Sequence, residues 1–370
     1  MNIKKSIKKD MVLLFFAGTL LFCGGLSLLF FPTARFSEAE NRLLAEKPQF
    51  SMAALRDGSY TAAWEHYAAE RMVGRRLMRG VHAATEVALG KCEVSNVLLC
   101  RDGSLTKRLT VNERIYQKNL NAISALSAAA EKNGSTLTVA IAPRRIDART
   151  DVLPYLYRQS KSNVPYRKLS EKLPQTLLLD HITEDAQWYR TDHHWSTAGA
   201  FAAYRAIATR LGLTPYRETD FSREAVSSSF WGTTDAAAGL LNVAPDKIEL
   251  WRYTGDEALL VTKDGNPATF TGLYDFSRLL TRDGYAVFLG GNDGVTEITM
   301  GENDTRPTLL VIKDSFANSV IPFLARHYRI IAVDPRYTTV NVSDYIKEAD
   351  RTLLLCGMQT LTEVAMRENI

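Results

Sequence analysis

The chain has little net charge, no internal repeat and no low-complexity tract, and among its 370 residues it holds only four cysteines and six histidines. The formal charge is +4, and Lys4, Lys5, Lys8 and Lys9 against Asp10 supply most of it. The remainder is close to neutral and carries no footprint for nucleic acid. With 46% hydrophobic and 23% charged residues it is neither disordered nor fibrous but an ordinary globular mixture, with material for one or two domains.

Charge is missing altogether from Met11 to Phe31, MVLLFFAGTLLFCGGLSLLFF. A helix of that length spans a hydrocarbon core of about 30 Å. Four lysines precede the run, whereas Pro32, Arg35 and Glu38 follow it. The positive-inside bias therefore leaves the N-terminus in the cytoplasm and exports the rest. A cleaved secretory signal is the alternative, but the run exceeds the usual apolar core and no small-x-small site follows before Arg35. The expectation is a single-pass cell-membrane anchor with an extracytoplasmic domain. Bulky Phe22 argues against lipidation of Cys23, which reads as a helix cysteine. In an oxidising compartment Cys92 and Cys100 could pair across a hairpin near Asn96, and Cys356, within Leu353-Leu354-Leu355-Cys356, reads as an unpaired core residue.

After the charged SEAENRLLAEKPQF segment, Trp64, Tyr67, Met72, Leu77 and Val81 recur at helical spacing between Ser51 and Leu89, a stripe that reads as core. A hairpin-like stretch, Glu93 to Leu105, leads to an amphipathic helix over about Asn112 to Lys132, stopped by Asn133-Gly134. Strands are expected at 136–142, 177–179, 308–313, 330–333 and 352–356, with helices at about 197–211 and 318–327. Helices alternating with short apolar strands indicate a mainly parallel sheet covered on both faces. The helix signal fades between about 215 and 307, which reads as loops and short strands inserted over the strand ends. The expected divisions are a cytoplasmic tail 1–10, the anchor 11–31, a helical lead-in and hairpin 32–110, and an α/β domain 111–370.

Ser315, in Ile312-Lys313-Asp314-Ser315-Phe316, follows the strand TLLVIK and precedes a helix. That turn lies at the carboxyl edge of a parallel sheet, where ligands bind. A helix N-terminus there favours negative charge on a substrate oxygen, which suits a nucleophile. Capping of the helix by Asp314 or Ser315 is the competing reading. A serine hydroxyl needs an imidazole to take its proton and a carboxylate to orient that imidazole. Asp192 and His194, in Tyr189-Arg190-Thr191-Asp192-His193-His194-Trp195-Ser196, stand two apart, so in extended backbone they share a side while His193 points away. Metal binding by Asp192, His193 and His194 is the rival reading, disfavoured because adjacent residues rarely converge on one ion, and structural histidines are another. Asn292, in Leu289-Gly290-Gly291-Asn292-Asp293-Gly294, could donate to an oxyanion or sit in a hairpin turn.

The motifs TDHHWSTAGAFAAY (Thr191 to Tyr204), SFWGTT (Ser229 to Thr234), FLGGN (Phe288 to Asn292), VIKDSFANSVIPFL (Val311 to Leu324) and DPRY (Asp334 to Tyr337), with SEAENR (Ser37 to Arg42), keep a fixed order along the chain. Together they resemble the bacterial DHHW proteins, relatives of the alginate O-acetylation proteins AlgX and AlgJ. The resemblance implies an SGNH-hydrolase-like αβα sandwich in which Asp192 and His194 match the Asp-x-His pair and Ser315 the serine of a Gly-Asp-Ser-like block. Lys313 replaces the usual glycine of that block, and the Asp-x-His pair precedes the serine, as in the alginate-type relatives.

The resulting expectation is an O-acetyltransferase acting on a cell-envelope or secreted polysaccharide through acyl-Ser315, with no cofactor and no metal. The N–H of Ser315 or Phe316, with Asn292, would hold the oxyanion, and Trp195, Phe230, Trp231 and Tyr337 are candidates for sugar stacking. The resemblance also implies a membrane-bound O-acyltransferase partner as acetyl donor. An acetylesterase and a catalytically silent glycan-binding or scaffold protein remain open.

Overall fold

A computed structural model describes residues 3–30, 35–37, 40, 42–72, 74–108, 110–155, 157 and 163–366. One compact unit comprises Met1–Gly90 with Gly239–Leu241. Its first helix, α1, is Ile3–Phe30, and the side chains described within it, 11–26, are almost all exposed. Among the described residues no helix is long and apolar enough to cross a membrane. The side chains of Lys4, Lys5, Lys8 and Lys9, and the end of the apolar run at Phe31 with Pro32, lie outside the described residues, as do Glu38, Ala39 and Asn41 of SEAENR.

Short strands β1 (Phe36–Ser37) and β2 (Arg42–Leu43) pair, and helices α2 (Met52–Arg56), α3 (Ser59–Arg71) and α4 (Arg75–Ala88) follow. Tyr67 is buried and Trp64 packs edge-on against it. The rest of the expected core stripe does not hold: Leu77 and Val81 are 62% and 55% exposed, because they lie on the open side of α4. Glu70 is buried and accepts hydrogen bonds from the Arg42 guanidinium and the Ala45 N–H, which anchors the chain entering this unit.

The second unit comprises Lys91–Ala238 and Asn242–Ile370. It begins with a three-stranded sheet of β3 (Glu93–Val94), β4 (Val97–Leu99) and β5 (Leu105–Lys107), so the hairpin belongs with the α/β unit and not with the helical lead-in. The hairpin register pairs Glu93 with Leu98, and the Leu99 N–H donates to the Cys92 carbonyl, so Cys92 does not face Cys100. The pairing that the sequence left open does not form: Cys92 is exposed, Cys100 is buried, and both are free.

Helix α5 (Glu113–Lys132) starts at Asn112, whose side chain accepts from the Ile115 N–H, and ends at Asn133 and the left-handed Gly134. Strand β6 (Leu137–Ala142) follows, then α6 (Arg145–Ala148), α7 (Asn163–Lys172), β7 (Leu177–Leu178) and α8 (Thr197–Arg210). Next come β8 (Ser222–Phe230), α9 (Thr233–Ala238), β9 (Asp246–Arg252), β10 (Leu260–Lys263), β11 (Asn266–Pro267) and β12 (Val295–Thr299). The chain closes with β13 (Thr308–Lys313), α10 (Ile321–Leu324), β14 (Arg329–Val333), α11 (Val342–Ile346), β15 (Arg351–Gly357) and α12 (Met358–Glu363).

The eight-stranded sheet runs β11-β10-β12-β14-β13-β15-β6-β7. β14, β13, β15, β6 and β7 are parallel neighbours, while β12, β10 and β11 extend the sheet in antiparallel fashion. The region 215–307 therefore does more than cover strand ends: it lengthens the sheet and adds the β8–β9 hairpin. Alternate residues of each parallel strand face opposite layers, as a pleated strand requires. Leu309, Val311, Leu353 and Leu355 pack with Phe201, Tyr204 and Ile207 of α8. Leu310, Ile312, Leu354 and Cys356 pack with Leu120, Ile123 and Leu126 of α5. This is an αβα sandwich with β13 inside the sheet, so residues just past Lys313 emerge at its carboxyl edge.

Candidate active site

After β13 the chain makes a tight 3-10 turn over Ser315–Ser319 before the short α10, instead of one helix from about 318 to 327. Asp314 is the capping residue. Its Oδ1 accepts from the Phe316 N–H at 2.9 Å, and its Oδ2 accepts from the Gly357 N–H at 2.8 Å and the Thr360 hydroxyl at 2.6 Å. These bonds tie the turn to the end of β15 and leave the Ser315 hydroxyl for other work. Gly357 permits this approach, since a Cβ there would fall 2.7 Å from the Phe316 ring.

The segment 189–196 bends, where the side-chain alternation assumed extended backbone, and is closed by a bridge between Trp188 and Trp195. Buried Asp246 grips it, accepting from the N–H groups of Arg190 and Thr191 at 2.8 Å each and from the Thr191 hydroxyl at 2.6 Å. Within the bend, Asp192 Oδ1 lies 2.5 Å from His194 Nδ1 and also accepts from the His194 N–H at 2.9 Å. On the other side of the ring, His194 Nε2 lies 2.7 Å from Ser315 Oγ. The structure thus brings together Ser315, His194 and Asp192, whose hydroxyl, imidazole and carboxylate stand in hydrogen-bonding sequence.

Asp192 Oδ2 takes two further bonds, from the Thr233 N–H at 2.7 Å and the Thr233 hydroxyl at 2.9 Å. Gly232 makes this possible: a Cβ on it would lie 2.3 Å from Asp192. Burial works to raise the Asp192 carboxyl, but the neighbouring His194 and these donors outweigh it and hold the group well below the usual carboxylate range. The carboxylate therefore stays ionised, as an orienting group must.

His193 does not point away as the alternation suggests, because the backbone bends. Its ring lies 3.8 Å, centroid to centroid, from that of His194, and its Nδ1 is 2.7 Å from the Thr233 hydroxyl. Burial, and next the neighbouring His194, lower its pKa to about 3, so it is neutral at ordinary pH. Asp192, His193 and His194 offer one ligand atom each within 4.8 Å of one another. Both His194 nitrogens, however, already face Asp192 and Ser315, so a metal ion would have to displace those contacts.

Tyr285 lies parallel to the His194 ring, 3.9 Å away and 4° from coplanar orientation. Its hydroxyl donates to the Ser315 carbonyl at 3.1 Å and meets Ser319 Oγ at 3.0 Å. The Trp195 indole N–H donates to the same Ser319 oxygen at 3.0 Å. Trp195 is fully buried, so it is packing and cannot stack on a sugar, and Phe230 is likewise in the core. Trp231 is half-buried with its N–H donated to the Val243 carbonyl, while Tyr337 is exposed.

Two of the oxyanion-hole expectations change. The Phe316 N–H is already donated to Asp314 and is not available to a substrate, and the Phe316 ring is buried against His193, His194 and Trp195. Asn292 is no mere turn residue. Its Oδ1 accepts from Lys313 Nζ at 2.9 Å and from Asn318 Nδ2 at 3.1 Å, which fixes its amide and leaves Nδ2 for another acceptor. Lys313, in the place of a glycine, is buried beside Asp334 and also donates to Asn318 Oδ1 at 2.7 Å. Burial pushes its pKa down to about 8 against the pull of Asp334.

Thr233, Gly232, Tyr285 and Asp246 carry contacts that sequence reasoning assigned to no one. The SFWGTT motif signals the first two, but nothing local signals the long-range approach of Tyr285 or Asp246.

Among solved structures, a DHHW family protein from Eubacterium siraeum is similar at 20% identity and TM-score 0.60, covering 73% of this chain and 93% of that one. PatB1 of Bacillus cereus is similar at 19% identity and TM-score 0.60, over 73% of this chain and 98% of that one. The O-acetyltransferase domain of Pseudomonas putida AlgJ is more distant, at 18% identity and TM-score 0.45, over 72% of this chain and 92% of that one. At these identities the likeness to the first two speaks for the fold alone. No curated protein matches. The model of the DHHW protein family matches residues 141–333, which span both the Asp192–His194 bend and the Ser315 turn. On that match, over more than half of its length, the chain belongs to the DHHW protein family.

Proposed function

We propose that this protein is a membrane-anchored, extracytoplasmic O-acyltransferase that acetylates a cell-envelope or secreted polysaccharide through an acyl-serine intermediate. The observation that carries the reading is the continuous contact from Asp192 through His194 to Ser315 Oγ, at 2.5 and 2.7 Å. His194 Nε2 takes the proton of Ser315 as Oγ attacks the acetyl carbonyl. The same proton then goes to the departing donor oxygen, leaving acetyl-Ser315. A sugar hydroxyl next attacks that ester, giving its proton to His194, which returns it to Ser315 Oγ as the acetylated sugar leaves. Asp192 orients the ring and stabilises its cationic form. The Ser315 N–H and the Asn292 amide would hold the oxyanion, a reading supported by the commitment of the Phe316 N–H to Asp314. One such donor is worth on the order of 10²–10³ in rate.

The uncharged run Met11–Phe31 behind four lysines supports the anchor, and with it a cell-membrane location and an extracytoplasmic domain. An acetyl donor made in the cytoplasm then requires a membrane-bound O-acyltransferase partner to pass the group across. An esterase would use the same acyl-serine with water as acceptor. Purified protein given an activated acetyl ester and glycan separates the two. Acetylated glycan in excess over free acetate supports transfer, acetate alone supports the esterase, and neither product supports a silent binding protein.

A further inference from the structure

Beside the triad, on the His193 side, lies a small, partly open pocket whose walls include Lys107, Arg108, Arg144, His193, Phe316 and Glu363. His193 packs on His194, and Phe316 follows Ser315 in the chain, so the pocket is lined by immediate neighbours of the reacting residues. Its charge is unbalanced. Glu363 is the one carboxylate on the wall, and it accepts from the Thr110 hydroxyl at 2.6 Å and Gln359 Nε2 at 2.9 Å. The same wall carries Lys107, Arg108, Arg144 and Arg145.

Arg144 is the residue that needs explaining. It is only 8% exposed, and its Nε donates to Asp147 Oδ2 at 2.7 Å. Its Nη1 and Nη2 are buried and have no hydrogen-bond partner among the described residues. A guanidinium out of water with four of its five N–H donors unused is unfavourable unless something completes it. The group that does so in two parallel bonds is a planar or tetrahedral oxyanion. Arg145 donates to the Tyr189 carbonyl at 2.5 Å and faces the Asp102 carboxylate at 3.6 Å, while its Nε and Nη2 likewise have no hydrogen-bond partner among the described residues.

We propose, building on the acyltransferase reading, that this pocket is the acceptor's anion subsite: Arg144 Nη1 and Nη2 receive a carboxylate or phosphate of an acidic glycan, with Lys107 contributing from β5, while a neighbouring hydroxyl sits at Ser315. The acceptor is therefore a charged polysaccharide, and a neutral one is a poor fit.

Binding to the full-length Ser315→Ala protein tests this without depending on catalysis. The probes are an oligouronate, a glycerol-phosphate oligomer and a neutral oligoglucan of equal length, measured by calorimetry. At least one acidic probe should bind tenfold or more tightly than the neutral one, and whichever does names the source of the anion. Arg144→Gln should reduce that probe to the neutral level, and Lys107→Gln should weaken it severalfold. The second variant decides the matter if thermal melting shows the first to be unfolded. Equal binding of all three probes, or an acid preference untouched by both substitutions, overturns the proposal. If the acidic preference stands but wild type transfers no acetyl group, it is the acyltransferase reading that fails.

Discussion

Tyr285 lies flat on His194, 3.9 Å between ring centroids, while its hydroxyl reaches the Ser315 carbonyl at 3.1 Å. One side chain thus holds the imidazole from its face and the serine from its backbone, fixing the distance across which the proton moves. Tyr285→Phe keeps the stack and should lower turnover of an activated acetyl ester less than tenfold. Tyr285→Ala frees the ring and should cost on the order of 10²-fold, the usual penalty for a misplaced catalytic group. Steady-state kinetics of the two variants, with KM little changed, check this.

Asp192 is fastened by Thr233 and the bend backbone, and its carboxylate faces His194 Nδ1. Asp192→Asn keeps the shape but favours the wrong imidazole tautomer, so turnover should fall roughly 10⁴-fold. Thr233→Val removes a single hydroxyl donor and should cost about 1 kcal/mol, several-fold in rate. Comparable losses in the two variants would mean that Asp192 does not orient the ring.

His193 gives the fold an acid-sensitive term. Its pKa is lowered to about 3 in the folded chain from an ordinary 6.5, first by burial. Below pH 6.5 the unfolded chain takes up a proton that the folded one refuses until about pH 3, so stability falls as pH drops through that window. Its side chain is 27% exposed, which trims the effect to about 1–2 kcal/mol at pH 4.5. Urea unfolding of wild type and His193→Gln at pH 7 and pH 4.5 should show the variant losing less stability on acidification.

The parts of this architecture that local chemistry dictates are legible in the sequence. Thr308–Lys313 reads as a strand because TLLVIK is a short apolar run, and Asn112 and Gly134 mark the ends of α5 unambiguously. Ser315, His194 and Asp192 are legible because a hydroxyl nucleophile needs those two partners and each motif stands next to an element end. The twist of the 189–196 bend is not, since it is imposed by Asp246, more than fifty residues away. The same holds for Phe316: only the folded turn reveals that Asp314 claims its N–H. The exposed Leu77 and Val81 break the periodicity argument because a helical stripe specifies a face and not what covers it.

The acyl-serine mechanism requires that Ser315 become esterified, and trapping the acetylated protein shows whether it does. Full-length protein mixed with an activated acetyl ester, quenched in acid and mapped by mass spectrometry should carry one acetyl group on the peptide containing Ser315. The group should be absent from Ser315→Ala and form far more slowly in His194→Ala. Acetylation of another residue at the same rate in wild type and Ser315→Ala, with Ser315 itself unmodified, would contradict the account.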